Sequence, residues 1–402
     1  MSKIKLASRL SKVRVSPTVA ISNRAKELKA AGRDIIPLSA GEPDFDTPSN
    51  VQRAARAAID RGETHYTMAE GIIDLRQAVC NKFKRDNLLD YKPEEIIVGA
   101  GAKQVIFNAM MATLEPGDEV IIQAPYWVSY PDIVLLFDAS PVIVESTEDN
   151  GFLMTTSQLE AAITPRTRWL FINSPSNPTG AVYSENDFKA LGEVLRSYPD
   201  VWVMSDDIYE SIVFEGARFT SFAQAVPELK DRTLTVNGLS KSHAMTGWRV
   251  GYGAGDKDLI KAMTKIQGQS TLHPCSITQW AAVEALEGPQ DILSEMVATF
   301  DRRRASTMAS LNAIDGLHCF APRGAFYLFV SIQDHLGRSS SSGAVLDSDV
   351  DWVMALMEEQ GVSVVPGSAF GTDGYFRLSF AAADDDLAQA CERIARFGEN
   401  LK

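Results

Sequence analysis

Short apolar runs recur along the first two thirds of the chain: IIVG (96–99), EVIIQAP (119–125), SPVIVES (140–146), RWLFINSP (168–175), VWVMSDD (201–207), TLTVNG (233–238) and WRVGYGAG (248–255). Rich in β-branched residues and closed by Gly, Pro, Asn or Asp, they read as strands. Stretches with apolar residues at helical spacing separate most of them. The pattern predicts an α/β fold, a mostly parallel sheet with helices on both faces.

Upstream, residues 19–32 read as a helix ending at Gly32, Ile35–Leu38 as a short strand, and 49–61 as an amphipathic helix. The segment AGEPDFDTP (40–48) is too rich in turn formers to be regular. Gly71 opens another helix, and Gly99 and Gly101 make a tight turn before a helix that starts near Lys103. Small residues there let backbone N–H groups approach an anion, although a simple turn explains them equally well. Downstream, a helical region runs from Thr278 to Ile314 with a break at Gly288-Pro289. It leads into a block of α+β character, with strands at 324–332 and 374–381 and helices at 349–360 and 384–398. The serines 339–342 read as a flexible surface loop. The expected organisation is an amino-terminal arm with part of a small domain (1–47), a large domain (48–295) and a small carboxyl-terminal domain (296–402).

Composition narrows the function classes. The 402 residues are 45% hydrophobic, enough for a large core. A net charge of −13 disfavours nucleic acid or an anionic membrane as partner, so an anionic ligand would need local cations. Cys80, Cys275, Cys319 and Cys391 form no CxxC pair, which suggests neither a metal site nor a disulfide framework and fits a reducing cytoplasm. No apolar run reaches the length of a membrane span. The basic start, MSKIKLASRLSKVRV, shares features with transit peptides but lacks a secretory apolar region. It is read as an ordered arm.

Polar residues gather where the predicted strands stop, which is where open α/β sheets bind ligands. After the run 233–236 comes SKSHAMTGWRVG (240–251), with Lys241 beside Ser240 and Arg249 eight positions on. A lysine that captures a carbonyl must lose its proton, whereas an arginine keeps its charge and forks onto a phosphate. Pyridoxal phosphate (PLP), an aldehyde carrying a phosphate, asks for both. Asp206, ending an apolar strand, is costly to bury without a cation or donors, and a protonated pyridine nitrogen would serve. Alone, it reads equally as a helix cap or surface acid. Its neighbour Asp207 should point the other way. Tyr209 and Asn177 are candidate donors to a phenolic oxygen, with packing the simpler reading of Tyr209. Trp127 offers a flat lid. Arg377, inside the apolar strand YFRLSF, needs an anion such as a carboxylate.

The motifs AGEPDFDTP, HYT…G…LR, PYWVSYP, NSPSNPTG, SDDIYE, SKSHAMTGWRVG and FRLSFA, in this order over about residues 7–398, make the chain resemble the class I aminotransferases of PLP fold type I. It is most similar to the bacterial aspartate aminotransferase subgroup. The resemblance implies a seven-stranded large-domain sheet and the following roles. Lys241 binds the cofactor and moves the substrate's proton, Asp206 pairs with the ring nitrogen, and Tyr209 and Asn177 bond the phenolic oxygen. Ser240, Arg249 and the backbone at Gly101, Ala102 and Lys103 hold the phosphate, joined by Tyr66 from a second copy in a homodimer. Trp127 stacks on the ring. Arg377, with Gly41 and Asn177, binds the α-carboxylate of an amino acid or 2-oxo acid.

The same resemblance links Lys103 and Thr18 with a distal carboxylate. It therefore implies ping-pong transamination of aspartate or glutamate with 2-oxoglutarate or oxaloacetate; the simpler reading leaves Lys103 facing phosphate or solvent. Prephenate, aromatic or kynurenine transamination is the alternative, followed by a β-lyase or a regulator that borrowed the fold. The chain departs from the pattern at His65 before Tyr66, at MAEG (68–71), at Ala102 in the phosphate turn and at Leu272-His273. The two histidines, His65 and His273, are the departures that point to an altered specificity.

Overall fold

The computed structural model describes residues 4–13, 17–214 and 216–402, the side chains of residues 17 and 18 excepted. Its strands are β1 (Ile36–Pro37), β2 (Ile96–Gly99), β3 (Glu119–Ala124), β4 (Ser140–Glu145), β5 (Thr167–Asn173), β6 (Trp202–Asp206), β7 (Thr233–Gly238), β8 (Gly251–Ala254), β9 (His318–Cys319), β10 (Tyr327–Ser331), β11 (Val362–Ser363), β12 (Val365–Pro366) and β13 (Tyr375–Ser379). Seven of them form one sheet in the order β2-β8-β7-β6-β5-β3-β4. All its pairings are parallel except those of β8, which runs against both neighbours.

Every residue of β2, β7 and β8 is buried, as expected for strands covered on both faces, whereas the edge strand β4 buries only Val144 of its six residues. The helix Glu185–Arg196 shows how the cover is built. Ser184 caps it by accepting from the Asp187 N–H, and Phe188, Leu191 and Leu195 pack under the sheet with Leu170 and Val203. Burial of each such side chain contributes roughly 1.5–3 kcal/mol.

A second sheet, β12-β13-β10-β9, is antiparallel, and β11 pairs with β1. Its core centres on Trp352, which stacks on Phe376 at 4.9 Å and meets the edge of Phe397 at 5.3 Å. The β1–β11 pairing ties the start of the chain to this sheet and delivers residues 39–42 to the space between the two sheets. The helix Asp291–Asn312 crosses the boundary expected at 295/296 without a break.

Three sequence expectations need revision. The run 248–255 is a strand only from Gly251, because Arg249 adopts a left-handed φ of 55° and the preceding residues form a turn. The first helix stops at Ala30, two residues before Gly32. The serines 339–342 are not a free loop: Ser339 bridges Val345, Ser340 is buried, and Ser341 and Ser342 both bond Glu359. Among the described residues, no helix is long and apolar enough to cross a membrane.

Candidate active site

The carboxyl ends of the parallel strands converge on a cavity of about 410 Å³ that the second sheet closes from the other side. β5 delivers Asn173, β6 delivers Asp206, and β7 runs on to Ser240 and Lys241. β8 is reversed, so its amino end lies at this edge and carries Arg249 to the same place. From the opposite side come Arg377 on β13, Tyr327 on β10, and Gly41 and Glu42 from the turn after β1. Four cations (Lys103, Lys241, Arg249, Arg377) and two acids (Glu42, Asp206) line the cavity, a net of +2 within a chain of −13. This local excess suits an anionic ligand.

Asp206 is buried, and its position explains its titration. Its Oδ2 accepts from the Tyr130 hydroxyl at 2.6 Å, and Oδ1 has only a 3.4 Å contact from the Ile208 N–H. Burial pushes its pKa up to about 6, although Tyr130, Ile208 and Lys241 pull it down. Asp207 turns the other way, accepting from Ser205 Oγ at 2.6 Å outside the cavity.

Lys241 Nζ donates to the Gly41 carbonyl. Burial, and next the charge of Arg377, push its pKa down to about 8. Such an amine gives up its proton far closer to physiological pH than a free lysine does, which readies it to act as a nucleophile or base.

Glycine geometry shapes the anion end. Gly101, at φ 89°, precedes the helix Ala102–Thr113; a methyl there would lie 2.5 Å from Arg249 Nη2. At Gly251 a methyl would lie 2.3 Å from the Ala102 nitrogen. Bare backbone thus brings the guanidinium and the helix amino terminus together, and the first N–H groups of that helix have no intrahelical partner. Ser240 lines the same end. Ala102 is accommodated as the first residue of the helix.

Arg377 is buried on β13. Its Nη1 donates to Asn177 Oδ1 at 2.9 Å and its Nη2 to the Ser39 carbonyl at 2.6 Å, whereas Nε has no partner. None of these acceptors carries a formal charge. Trp127 flanks the cavity, and Lys103 Nζ stands 4.7 Å from its ring centroid and donates to Ser129 Oγ at 3.1 Å.

The structure therefore brings together Gly41, Ala102, Lys103, Trp127, Asn177, Asp206, Tyr209, Ser240, Lys241, Arg249 and Arg377, with Gly101 behind Arg249. It leaves out Tyr66, which is 88% exposed and meets His273 edge-on at 5.8 Å. The Thr18 side chain lies outside the described residues; its neighbour Val19 lines the cavity. His65 is exposed, and the loop with Leu272 at φ 65° and His273 lies beside Tyr66, outside the cavity. Sequence reasoning misses Tyr130, Asn173, Glu42 and Tyr327. Tyr130 sits in the quoted PYWVSYP, but only tertiary pairing shows that its hydroxyl reaches a strand end 76 residues on.

Known proteins share this fold and much of this sequence. The family model described as aminotransferase class I and II matches residues 33–394. The aspartate/prephenate aminotransferase of Cereibacter sphaeroides is 54% identical over 98% of this chain and 99% of its own. The aspartate aminotransferase of Rhizobium meliloti strain 1021 is 52% identical over 98% and 96%. A crystal structure of the aspartate aminotransferase from Rhizobium meliloti superposes with a TM-score of 0.97 at 51% identity, each chain covered in full. That of the Thermus thermophilus enzyme with maleate gives 0.92 at 41%, covering 98% of this chain and 100% of its own. With a family match across most of its length, the chain belongs to the class I and II aminotransferases.

Proposed function

We propose that the protein is a PLP-dependent aminotransferase that moves the α-amino group of aspartate or glutamate to 2-oxoglutarate or oxaloacetate. The observation that carries the cofactor assignment is the gathering of Lys241, Asp206 and the bare-backbone cradle beside Arg249 in one cavity. The residues fit the group. An amine of lowered pKa suits the aldehyde, a buried carboxylate short of donors suits a cationic ring nitrogen, and a helix amino terminus held beside a guanidinium by bare glycine backbone suits a phosphate.

Ser240, Arg249 and the backbone of Gly101, Ala102 and Lys103 would hold the phosphate, Trp127 the ring face, and Tyr209 and Asn177 the phenolic oxygen. When bound, PLP supplies an aldehyde that captures the amino group and a cationic ring that withdraws electrons from the α-carbon. Lys241 Nζ takes the α-proton as general base, and its lowered pKa suits that task. Arg377 orients the α-carboxylate; its unpartnered Nε, and cavity contacts limited to uncharged acceptors, support this role. Gly41 and Asn177 flank it.

For the distal carboxylate, Lys103 has an ammonium on the cavity wall, with Thr18 assigned by resemblance alone. The exposure of Tyr66, away from its own cavity, supports a homodimer in which it serves the partner's phosphate site. The name of the Cereibacter sphaeroides relative supports prephenate as a second amino acceptor. Cytoplasmic location remains the reading of the cysteine usage.

Steady-state assays of a panel of amino donors against 2-oxoglutarate test the substrate, and aspartate is expected to turn over fastest. Rapid turnover of an aromatic donor without turnover of aspartate would overturn it. Lys241→Ala is expected to lose both turnover and the absorbance of lysine-bound cofactor.

A further inference from the structure

Tyr327 holds none of the roles above, yet it touches three residues that do. On the antiparallel pair β10–β13, Phe329 faces Arg377 and Tyr327 faces Ser379, so Tyr327 and Arg377 are diagonal neighbours within side-chain reach. The guanidinium carbon of Arg377 lies 4.4 Å from the Tyr327 ring centroid and 5.0 Å from that of Phe370. Contacts of a cation with ring faces are strongest in a desolvated site such as this. At the far end of the same ring, the Tyr327 hydroxyl is 2.8 Å from the Tyr209 hydroxyl, and a methyl on Gly41 would come within 2.5 Å of it.

The two phenols share one hydrogen bond, which can run either way. If Tyr209 donates to Tyr327, its proton is used and it shows the cavity only an acceptor. If Tyr327 donates, Tyr209 keeps its proton for an acceptor in the cavity. A cation against the Tyr327 ring withdraws electron density from its oxygen and strengthens it as a donor, so a free Arg377 favours the second arrangement. A carboxylate seated on Arg377 offsets that charge and weakens the donation.

We propose that Tyr327 is a positioning residue that links occupation of Arg377 by a substrate carboxylate to the donor strength of Tyr209 toward the phenolic oxygen of the cofactor. The link rests on Arg377 being the carboxylate-binding residue and PLP the cofactor. The weaker the donation from Tyr209, the more firmly the cofactor-bound nitrogen of Lys241 holds its proton. A bound carboxylate therefore raises the pH at which the cofactor absorbance titrates.

The test uses holoenzyme with succinate as an unreactive dicarboxylate, comparing wild type, Tyr327→Phe and Tyr327→Leu, with circular dichroism to confirm folding. Saturating succinate is expected to raise the titration midpoint of the wild type. Tyr327→Phe, which keeps the ring and loses the hydroxyl, is expected to bind succinate as the wild type does with a smaller rise; what remains is the direct effect of neutralising Arg377 near Lys241. Tyr327→Leu, which also removes the ring that holds the Arg377 guanidinium in place, is expected to loosen succinate relative to Tyr327→Phe.

Equal rises in wild type and Tyr327→Phe overturn the link, as does the absence of any rise in a wild type that binds succinate. A wild type that does not bind succinate removes the carboxylate role of Arg377 itself, a different failure. Should Tyr327→Leu not fold, the Tyr327→Phe comparison decides alone.

Discussion

The hydroxyl of Tyr130 donates to Asp206 Oδ2 at 2.6 Å inside the protein, while the ring of Tyr130 meets Trp127 edge-on at 5.2 Å. One residue thus braces both the acid proposed for the ring nitrogen and the indole proposed for the ring face. It also determines which oxygen of Asp206 is left for a cationic partner.

Replacing Tyr130 by Phe keeps the ring packing and removes the donor. A hydrogen bond to a charged group contributes about 1.5–3 kcal/mol, so kcat is expected to fall by roughly tenfold or more with KM little changed. The carboxyl of Asp206 in cofactor-free protein is expected to titrate above its present value of about 6. Isotope-edited infrared titration of that carboxyl checks this; an unmoved midpoint would show that the bond does not tune the acid.

Lys241 is reactive as the neutral amine, the form that persists above its pKa and is lost as the pH falls through it. With the folded value lowered to about 8, acylation of Lys241 in cofactor-free protein is expected to show a midpoint there rather than near that of free lysine, about 10.4. Arg377→Leu removes a neighbouring positive charge and is expected to move the midpoint upward. Peptide mass spectrometry after pulse labelling across pH reads both, and a midpoint unmoved by Arg377→Leu would leave burial as the whole cause.

Gly251→Ala forces a methyl toward the Ala102 nitrogen, 2.3 Å from its ideal position, and that neighbour is backbone. Overpacking of this kind costs about 1–3 kcal/mol, and here it falls on the cradle proposed for the phosphate. Cofactor affinity measured by equilibrium dialysis is expected to weaken about tenfold or more for a loss of that size. Affinity equal to that of the wild type would place the anion site elsewhere.

The large sheet is legible in the sequence because its strands are short, apolar and closed by turn formers, and the site motifs fall at their ends. What stays hidden depends on pairing between distant segments. β9, β11 and β12 have two residues each, too few to show a period, and they exist because β10, β13 and β1 offer partners. Tyr327 shows the same limit for the site. In GAFYLFVSI it reads as one more aromatic strand residue, and only the register against Arg377 turns it into a cavity wall.

Lys82 is the stability counterpart. Its ammonium pairs with Glu210 and donates to Asn87 Oδ1 at 2.7 Å, and Asn87 Nδ2 donates to Glu210 Oε2 at 3.0 Å. Lys82→Met leaves Glu210 largely buried without its cation, an effect of about 3–5 kcal/mol. A clear drop in melting temperature is expected, with most of it restored in the double variant Lys82→Met/Glu210→Gln. Calorimetry of the three proteins tests this, and a single variant as stable as the wild type would mean that water replaces the lysine.

The reversal of β8 has a consequence for how the site tolerates change. Because β7 and β8 lie side by side in opposite directions, residues 239–250 leave one strand and return beside it without an intervening crossover helix. The amine and the guanidinium ride on one loop pinned at both feet, so gaining or losing a single residue there would displace both charges together. Side chains on this stretch can be exchanged one at a time without moving the two charges only while the length of the loop is held fixed.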